Sequence, residues 1–383
     1  MPNAPAASAF RAPHSTLQAR LIWVICGGIS TEHDVSIVSG RGVATALASG
    51  RWRVRPVFIT REGQWRLGPE ALGPEAAPED IAARLDALVG GAAPSQPCEQ
   101  ALTRLRADQP ACVFLALHGP GGEDGALQGM LNWFGVRYTC SGPSASAMGM
   151  NKTRCQAFFQ QMGLRVPPSV SSVDVPESDR APASRHAAIL AARAMERLRL
   201  PVFVKPCYGG SSLGMSLVDE AGDLAPAIVK ALESSAEALI EERIAGRELS
   251  CGVLDFRNDA DGRYLPRALD PTEIRPPRSR YFDYEAKYTP GACEEITPAP
   301  LSAELTRRVR ETALRAHTSL GCRGLSRTDF ILRDDGELFV LEINTIPGLT
   351  PTSLAPQQAR HAGLSYRQLC EQLVEAAIAK RIA

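Results

Sequence analysis

Neither sign of charge prevails in this 383-residue chain: Lys plus Arg number 42, and Asp plus Glu number 42. Zero net charge gives no reason to expect nucleic acid or an anionic membrane as a partner, so any phosphate chemistry must rest on local basic residues. No apolar run approaches the ~20 residues that span a bilayer. Residues 1–20 are rich in Ala and Pro but lack a continuous apolar stretch, which argues against a secretory signal and for a disordered leader. The ten cysteines, from Cys26 to Cys370, include no C-x-x-C pair and no Cys/His cluster. Neither a zinc site nor a redox motif is indicated, and scattered cysteines fit a reducing cytosol. The length suffices for two or three domains, each with its own core.

What is present is most informative from Gly324 to Ser353. Two apolar runs, SRTDFILR and ELFVLEIN, flank Asp334-Asp335-Gly336, the pattern of a β-hairpin with an Asp-Gly turn. If Asp335-Gly336 is the two-residue turn, Asp334 pairs with Glu337. Counting outward then sets Asp329 opposite Glu342 and Arg327 opposite Asn344, all on one face because strand side chains alternate. Like charges across a ladder are destabilising unless something positive lies between them. Carboxylate and amide oxygens with no His or Cys beside them suit a hard cation such as Mg²⁺, completed by water and substrate phosphates. The alternative is a solvated hairpin with charges near its tip. Against it, Asp329, Glu342 and Asn344 lie well inside apolar strands, where an unpartnered carboxylate is costly.

The pattern R-x-D-F…LEINTIPGLTPTSL resembles the C-terminal core of the D-alanine–D-alanine ligases, members of the ATP-grasp superfamily. The resemblance implies that Asp329, Glu342 and Asn344 hold two Mg²⁺ ions, with Mn²⁺ as a substitute, on the phosphates of ATP. It assigns Arg327 and the Gly348 backbone amide to the tetrahedral intermediate, and Ser353 to the second substrate's carboxylate.

From the N-terminus, LIWVICGG (Leu21–Gly28) reads as a buried parallel strand delivering a loop, followed by a helix and the strand RVRPVFIT. Ligands of such β-loop-α-β units bind at the carboxyl ends of the strands, where Glu32 sits. Its plain role would be helix N-terminal charge. The motif G-G-x-S-x-E-x-x-V-S is similar to a signature of these ligases, whose Glu holds the ammonium of the first D-alanine. Residues 68–110 carry one or two short helices and no recognisable chemistry. ACVFLALHG (Ala111–Gly119) is a second buried strand, closed by His118 at the same edge. The match LHGxxGEDGxxQG implies that His118 lies beside the first substrate.

Lys152 opens a helix-rich segment, in N-K where the family usually has D-K, and by resemblance reaches the nucleotide phosphates. LPVFVKPCYGGSSLGMSLV (Leu200–Val218) places Lys205 on a strand before a Gly/Ser loop that includes Ser211 and Ser212. Such a loop can turn backbone N–H groups onto an anion, although it lacks the G-K-[ST] of a Walker loop. A plain Gly/Ser hairpin is the commoner object. In the family the strand lysine binds ATP and the loop closes over it. Further on, the resemblance puts Glu241, with Glu242 beside it, and backbone near Ile244 at adenine, and Glu248 at the ribose hydroxyls. It also makes residues 275–297 a lid, with Lys287 toward phosphate and Tyr288 beside the second substrate. Glu32, Ser211 and Tyr288 would form one hydrogen-bonded set.

The expected architecture is α/β: an ATP-grasp fold with an N-terminal doubly wound domain. A leader (1–20) precedes an N-terminal substrate domain (21–145), a small central domain (146–240) and a C-terminal domain with the metal site (241–383). The implied activity is ATP-driven joining of two D-alanines through an acyl phosphate, in the cytoplasm, with D-serine or D-lactate as rival second substrates. A catalytically dead ATP-binding regulator is the rival of another class. The implied partners are small molecules, with room for a homodimer.

Overall fold

The computed structural model describes residues 20–68, 72–73, 76–210, 214–275 and 293–380. Along them, three β-sheets follow one another.

The first sheet is built on β1 (Leu21–Gly27), which leads into α1 (His33–Ala48) and the parallel β2 (Arg53–Ile59). The short β3 (Trp65–Leu67) adds antiparallel to β2, and α2 (Pro78–Val89) and α3 (Cys98–Asp108) precede the parallel β4 (Cys112–Leu115). β1 is apolar throughout because both of its faces are covered. Ile22, Val24 and Cys26 pack with α1 and α2, while Trp23 and Ile25 pack with α3 and with α4 (Ala126–Trp133). β4 is shorter than the apolar run suggested, though Ala116 N–H still donates to the Ile25 carbonyl at 2.9 Å. The uninformative stretch 68–110 therefore supplies two covering helices, and Asp108 in it pairs with buried Arg55 at 2.7 Å.

Next come α5 (Pro143–Met150) and α6 (Lys152–Gln161). Asn151 caps α6, its side chain accepting from Arg154 N–H at 2.9 Å, so the N-K pair in place of D-K keeps a residue that caps as well as Asp does. The second sheet is antiparallel: β5 (Ser169–Ser171), α7 (Ala183–Arg197), β6 (Val202–Pro206), β7 (Ser216–Val218), α8 (Leu224–Ser234) and β8 (Ala238–Glu242), in the order β5-β8-β6-β7. The Ser/Asp/Pro-rich stretch 171–185 contains two short 3-10 turns, Ser172–Asp174 and Glu177–Asp179.

The third sheet comprises β9 (Arg247–Arg257), β10 (Tyr264–Ala268), β11 (Thr272–Arg275) and β12 (Glu294–Ile296), then, after α9 (Ala303–Leu320), β13 (Leu325–Leu332) and β14 (Leu338–Asn344). Two helices, α10 (Leu354–His361) and α11 (Tyr366–Ala379), follow the third sheet.

The β13–β14 hairpin corrects one expectation and keeps its consequence. Its turn holds three residues, Asp334-Asp335-Gly336, with Arg333 N–H donating to the Glu337 carbonyl at 2.9 Å and Gly336 at φ 85°. That shifts the inner pairs to Leu332↔Leu338 and Phe330↔Val340. A bulge then leaves Leu341 unpaired and restores Asp329↔Glu342 and Arg327↔Asn344. The turn is one residue longer than Asp-Gly suggested, and the bulge absorbs the difference.

Candidate functional site

β13 and β9 pair Asp329 with Ser250, so these side chains share a face with Arg327, Glu342 and Asn344. Arg327 donates to both oxygens of Asp329, Nε at 2.9 Å and Nη2 at 2.7 Å; Ser250 Oγ donates to Asp329 Oδ1 at 2.7 Å, and Asn344 Nδ2 to Oδ2 at 3.4 Å. Burial works against the Arg327 charge, but Asp329, and behind it Glu342 and Glu123, outweigh that and hold it firmly protonated. Two carboxylates and an amide carbonyl, with no nitrogen or sulfur donor in the set, make an oxygen face that fits Mg²⁺ or Mn²⁺. Glu248, two residues before Ser250 on β9, lies on this same face.

Lys152 at the start of α6 reaches it from the side. Its Nζ donates to the Gly209 carbonyl at 2.5 Å and stands 3.9 Å from Glu342 Oε2. A narrow cleft is lined here by Glu123, Lys152, Gly209, Gly210, Glu342 and Asn344. One turn along α6, Gln156 Nε2 donates to Glu241 Oε2 at 2.8 Å, while Lys205 from β6 ion-pairs with Glu241 Oε1. Glu241 is thus a buried carboxylate held from two sides. Its neighbour Glu242 points to the other face of β8, accepting from Arg199 N–H at 2.8 Å. Ile244 is half-buried in the link from β8 to β9.

The N-terminal lobe closes the third side. Glu32 caps α1 in sequence position, and its carboxylate lies against two glycines: a methyl on Gly119 would stand 2.9 Å from Oε2, and one on Gly210 2.8 Å. The glycine loop after β6 and the loop after β1 therefore meet over Glu32. His118 is buried, with Nε2 3.0 Å from Ser39 Oγ and Nδ1 3.2 Å from the Ile346 carbonyl; burial pulls its pKa down and keeps the ring neutral. Beyond Asn344 the chain turns through Gly348, where a methyl would stand 3.0 Å from Ser353 Oγ, and Ser353 occupies the N-cap position of α10.

Residues 21–141 match the family description "D-ala D-ala ligase N-terminus", and residues 158–375 match "D-ala D-ala ligase C-terminus". The chain belongs to the D-alanine–D-alanine ligase family. It is 39% identical over 374 residues to the D-alanine–D-alanine ligase of Streptomyces coelicolor, covering 93% of this chain and 92% of that one. To the ligase of Leptospira interrogans it is 37% identical over 365 residues, covering 92% and 97%. Among solved structures, the D-alanine–D-alanine ligase of Coxiella burnetii superposes with TM-score 0.74 at 28% identity, covering 94% of both chains. A D-Ala:D-Ser ligase of Enterococcus faecalis gives 0.75 at 28%, covering 94% of this chain and all of that one. The fold is the ATP-grasp fold of these ligases, a family of ATP-dependent enzymes acting on small molecules.

Of the residues singled out from the ligase resemblance, the structure sets Lys152, Glu342 and Asn344 in the wall of one cleft, with Asp329 and Arg327 on the same strand face and Glu32 against Gly210 at its edge. Lys205 and Glu241 form a pair behind α6. Ser211, Ser212, Lys287 and Tyr288 lie outside the described residues. Sequence reasoning passed over Ser250, Gln156 and Glu123. Glu123 stood in the quoted LHGxxGEDGxxQG motif, and an acid among glycines at a strand end was the available signal. No described helix is long and apolar enough to cross a membrane.

Proposed function

We propose that this site makes D-alanyl-D-alanine from two D-alanines and ATP in the cytoplasm, for peptidoglycan precursor synthesis. The observation that carries the reading is the meeting, at one cleft, of the oxygen face on β13–β14, the Lys152–Gly209 contact and the N-terminal lobe's Glu32. The first D-alanine's carboxylate attacks the γ-phosphorus, ADP leaves, and an acyl phosphate results. The second amine then attacks the acyl carbon, phosphate leaves, and the amine's proton is released. Glu32 faces the ammonium of the first substrate. Lys152 and Lys205 neutralise phosphate charge, and the Gly209–Gly210 backbone approaches closely because neither residue carries a side chain. Arg327, held flat against Asp329, presents its remaining positive charge to the tetrahedral intermediate, and the Gly348 N–H is the second donor to it. Mg²⁺ on Asp329, Glu342 and Asn344, when bound, would supply electrostatic stabilisation of the transferring phosphoryl group. The Glu32–Gly210 closure shields the acyl phosphate from water.

The curated relatives at 37–39% identity are D-alanine–D-alanine ligases, which supports D-alanine as second substrate. The test offers D-alanine, D-serine and D-lactate together with ATP and separates the products. D-alanyl-D-alanine should dominate; a dominant depsipeptide or D-seryl product would move the substrate assignment.

A further inference from the structure

The segment that carries Asn344 and Gly348 is gripped by the opposite lobe. Ile346 belongs to β13–β14's outgoing loop, yet its side chain is buried among Trp23, Ile25, Leu127 and Leu131 of the N-terminal lobe. Both polar groups of its backbone are taken by that lobe as well. Glu123 Oε1 accepts from Ile346 N–H at 3.1 Å, and His118 Nδ1 meets the Ile346 carbonyl at 3.2 Å. The other Glu123 oxygen accepts from Gly119 N–H at 2.7 Å, which fixes the carboxylate to the loop lying against Glu32.

We infer that Glu123 is a positioning residue that sets the distance between Glu32 and the 344–348 segment across the cleft. The inference deepens the ligase reading above and rests on it for its catalytic consequence. A carboxyl group suits the task because, ionised or protonated, each of its two oxygens keeps an acceptor lone pair for an N–H group on a different lobe. With the Ile346 N–H released, the peptide would be held only through its carbonyl and side chain. Asn344 and the Gly348 amide, two residues to either side, would then lose their fixed stand-off from Glu32. Such looseness at a site of this kind costs turnover more than nucleotide affinity, since the nucleotide's lysines sit on α6 and β6.

The test is Glu123→Gln, whose amide nitrogen cannot accept and so must surrender one of the two N–H groups, with Glu123→Ala as a second variant surrendering both. Amide hydrogen exchange of the peptide containing Ile346 should accelerate by about tenfold or more in Glu123→Ala, and that of the Ile346 or the Gly119 peptide in Glu123→Gln, with exchange in the second sheet unchanged. In the Glu123→Gln enzyme, kcat should fall by about tenfold or more, while KM for ATP stays within about twofold. Unchanged exchange at Ile346 in Glu123→Ala, or a fall in kcat matched by an equal rise in KM for ATP in Glu123→Gln, would overturn the positioning role. Accelerated exchange in a protein whose parent makes no dipeptide would instead remove the ligase reading and leave the clamp standing.

Discussion

Glu342 stands where three requirements meet: it faces Asp329 across the ladder, lies 3.9 Å from Lys152 and lines the cleft. Glu342→Gln removes the charge with little change in shape, so dipeptide formation should fall by about 10²–10³ in kcat, the scale of losing one preorganised electrostatic contact. Stability should stay within about 0.5 kcal/mol, because like-charge repulsion from Asp329 is relieved as the Lys152 attraction is lost. A variant that keeps near-parental activity at limiting Mg²⁺ would misplace the metal face. Lys205 needs a different design. Its partner Glu241 is buried, and removing one member of a buried ion pair costs about 3–5 kcal/mol. Lys205→Ala should therefore lower the melting temperature and ATP use together. The double variant Lys205→Met with Glu241→Gln should recover the melting temperature without recovering kcat/KM for ATP; recovery of both would make Lys205 structural only. At this scale the shared face of Arg327, Asp329, Glu342 and Asn344 was legible because a period of two constrains it. Glu123 was not, since its second partner is an N–H 223 residues away, which no local pattern announces.

The β13–β14 hairpin shows why an element can be read correctly in outcome and wrongly in detail. Asp-Gly is compatible with a two-residue turn and with a three-residue turn ending in a left-handed Gly, and the observed turn is the second. The compensating bulge at Leu341 has no Gly or Pro to mark it. Its carbonyl instead lies 3.5 Å from Gln156 Nε2, and the bulge sits directly beside Glu342, where a bulge can re-aim a side chain. Turn and bulge can be separated by two edits. Gly336→Ala should cost about 1 kcal/mol of stability from its positive φ and leave kcat unchanged, measured by urea unfolding and dipeptide assay. Deleting Leu341 keeps Asp329 opposite Glu342 but removes the kink, and should lower kcat while the chain still unfolds cooperatively. If activity tracks the turn edit and ignores the bulge deletion, the bulge has no role in aiming the site.

Across the whole molecule, the α/β class followed from buried strands alternating with amphipathic helices. The core shared between lobes, through Ile346 and Leu349, was invisible without the fold. That contact region carries a pH signature. Burial, reinforced by Glu32, pushes Glu123 up to about 8. The unfolded carboxyl titrates near ~4.3, so between that pH and about 8 the folded chain holds a proton that the unfolded chain has released, and stability falls as pH rises through the window. Urea midpoints at pH 6 and pH 8 should show a smaller decline in Glu123→Gln than in the parent; equal declines would place the charge cost elsewhere. Whether the oxygen face, Lys152 and Glu32 together perform ATP-driven joining of D-alanine is decided by phosphate release from ATP. Release should require both D-alanine and Mg²⁺, be matched mole for mole by D-alanyl-D-alanine, and be lost in Glu342→Gln. Release that is indifferent to D-alanine, or that leaves no dipeptide, would contradict it.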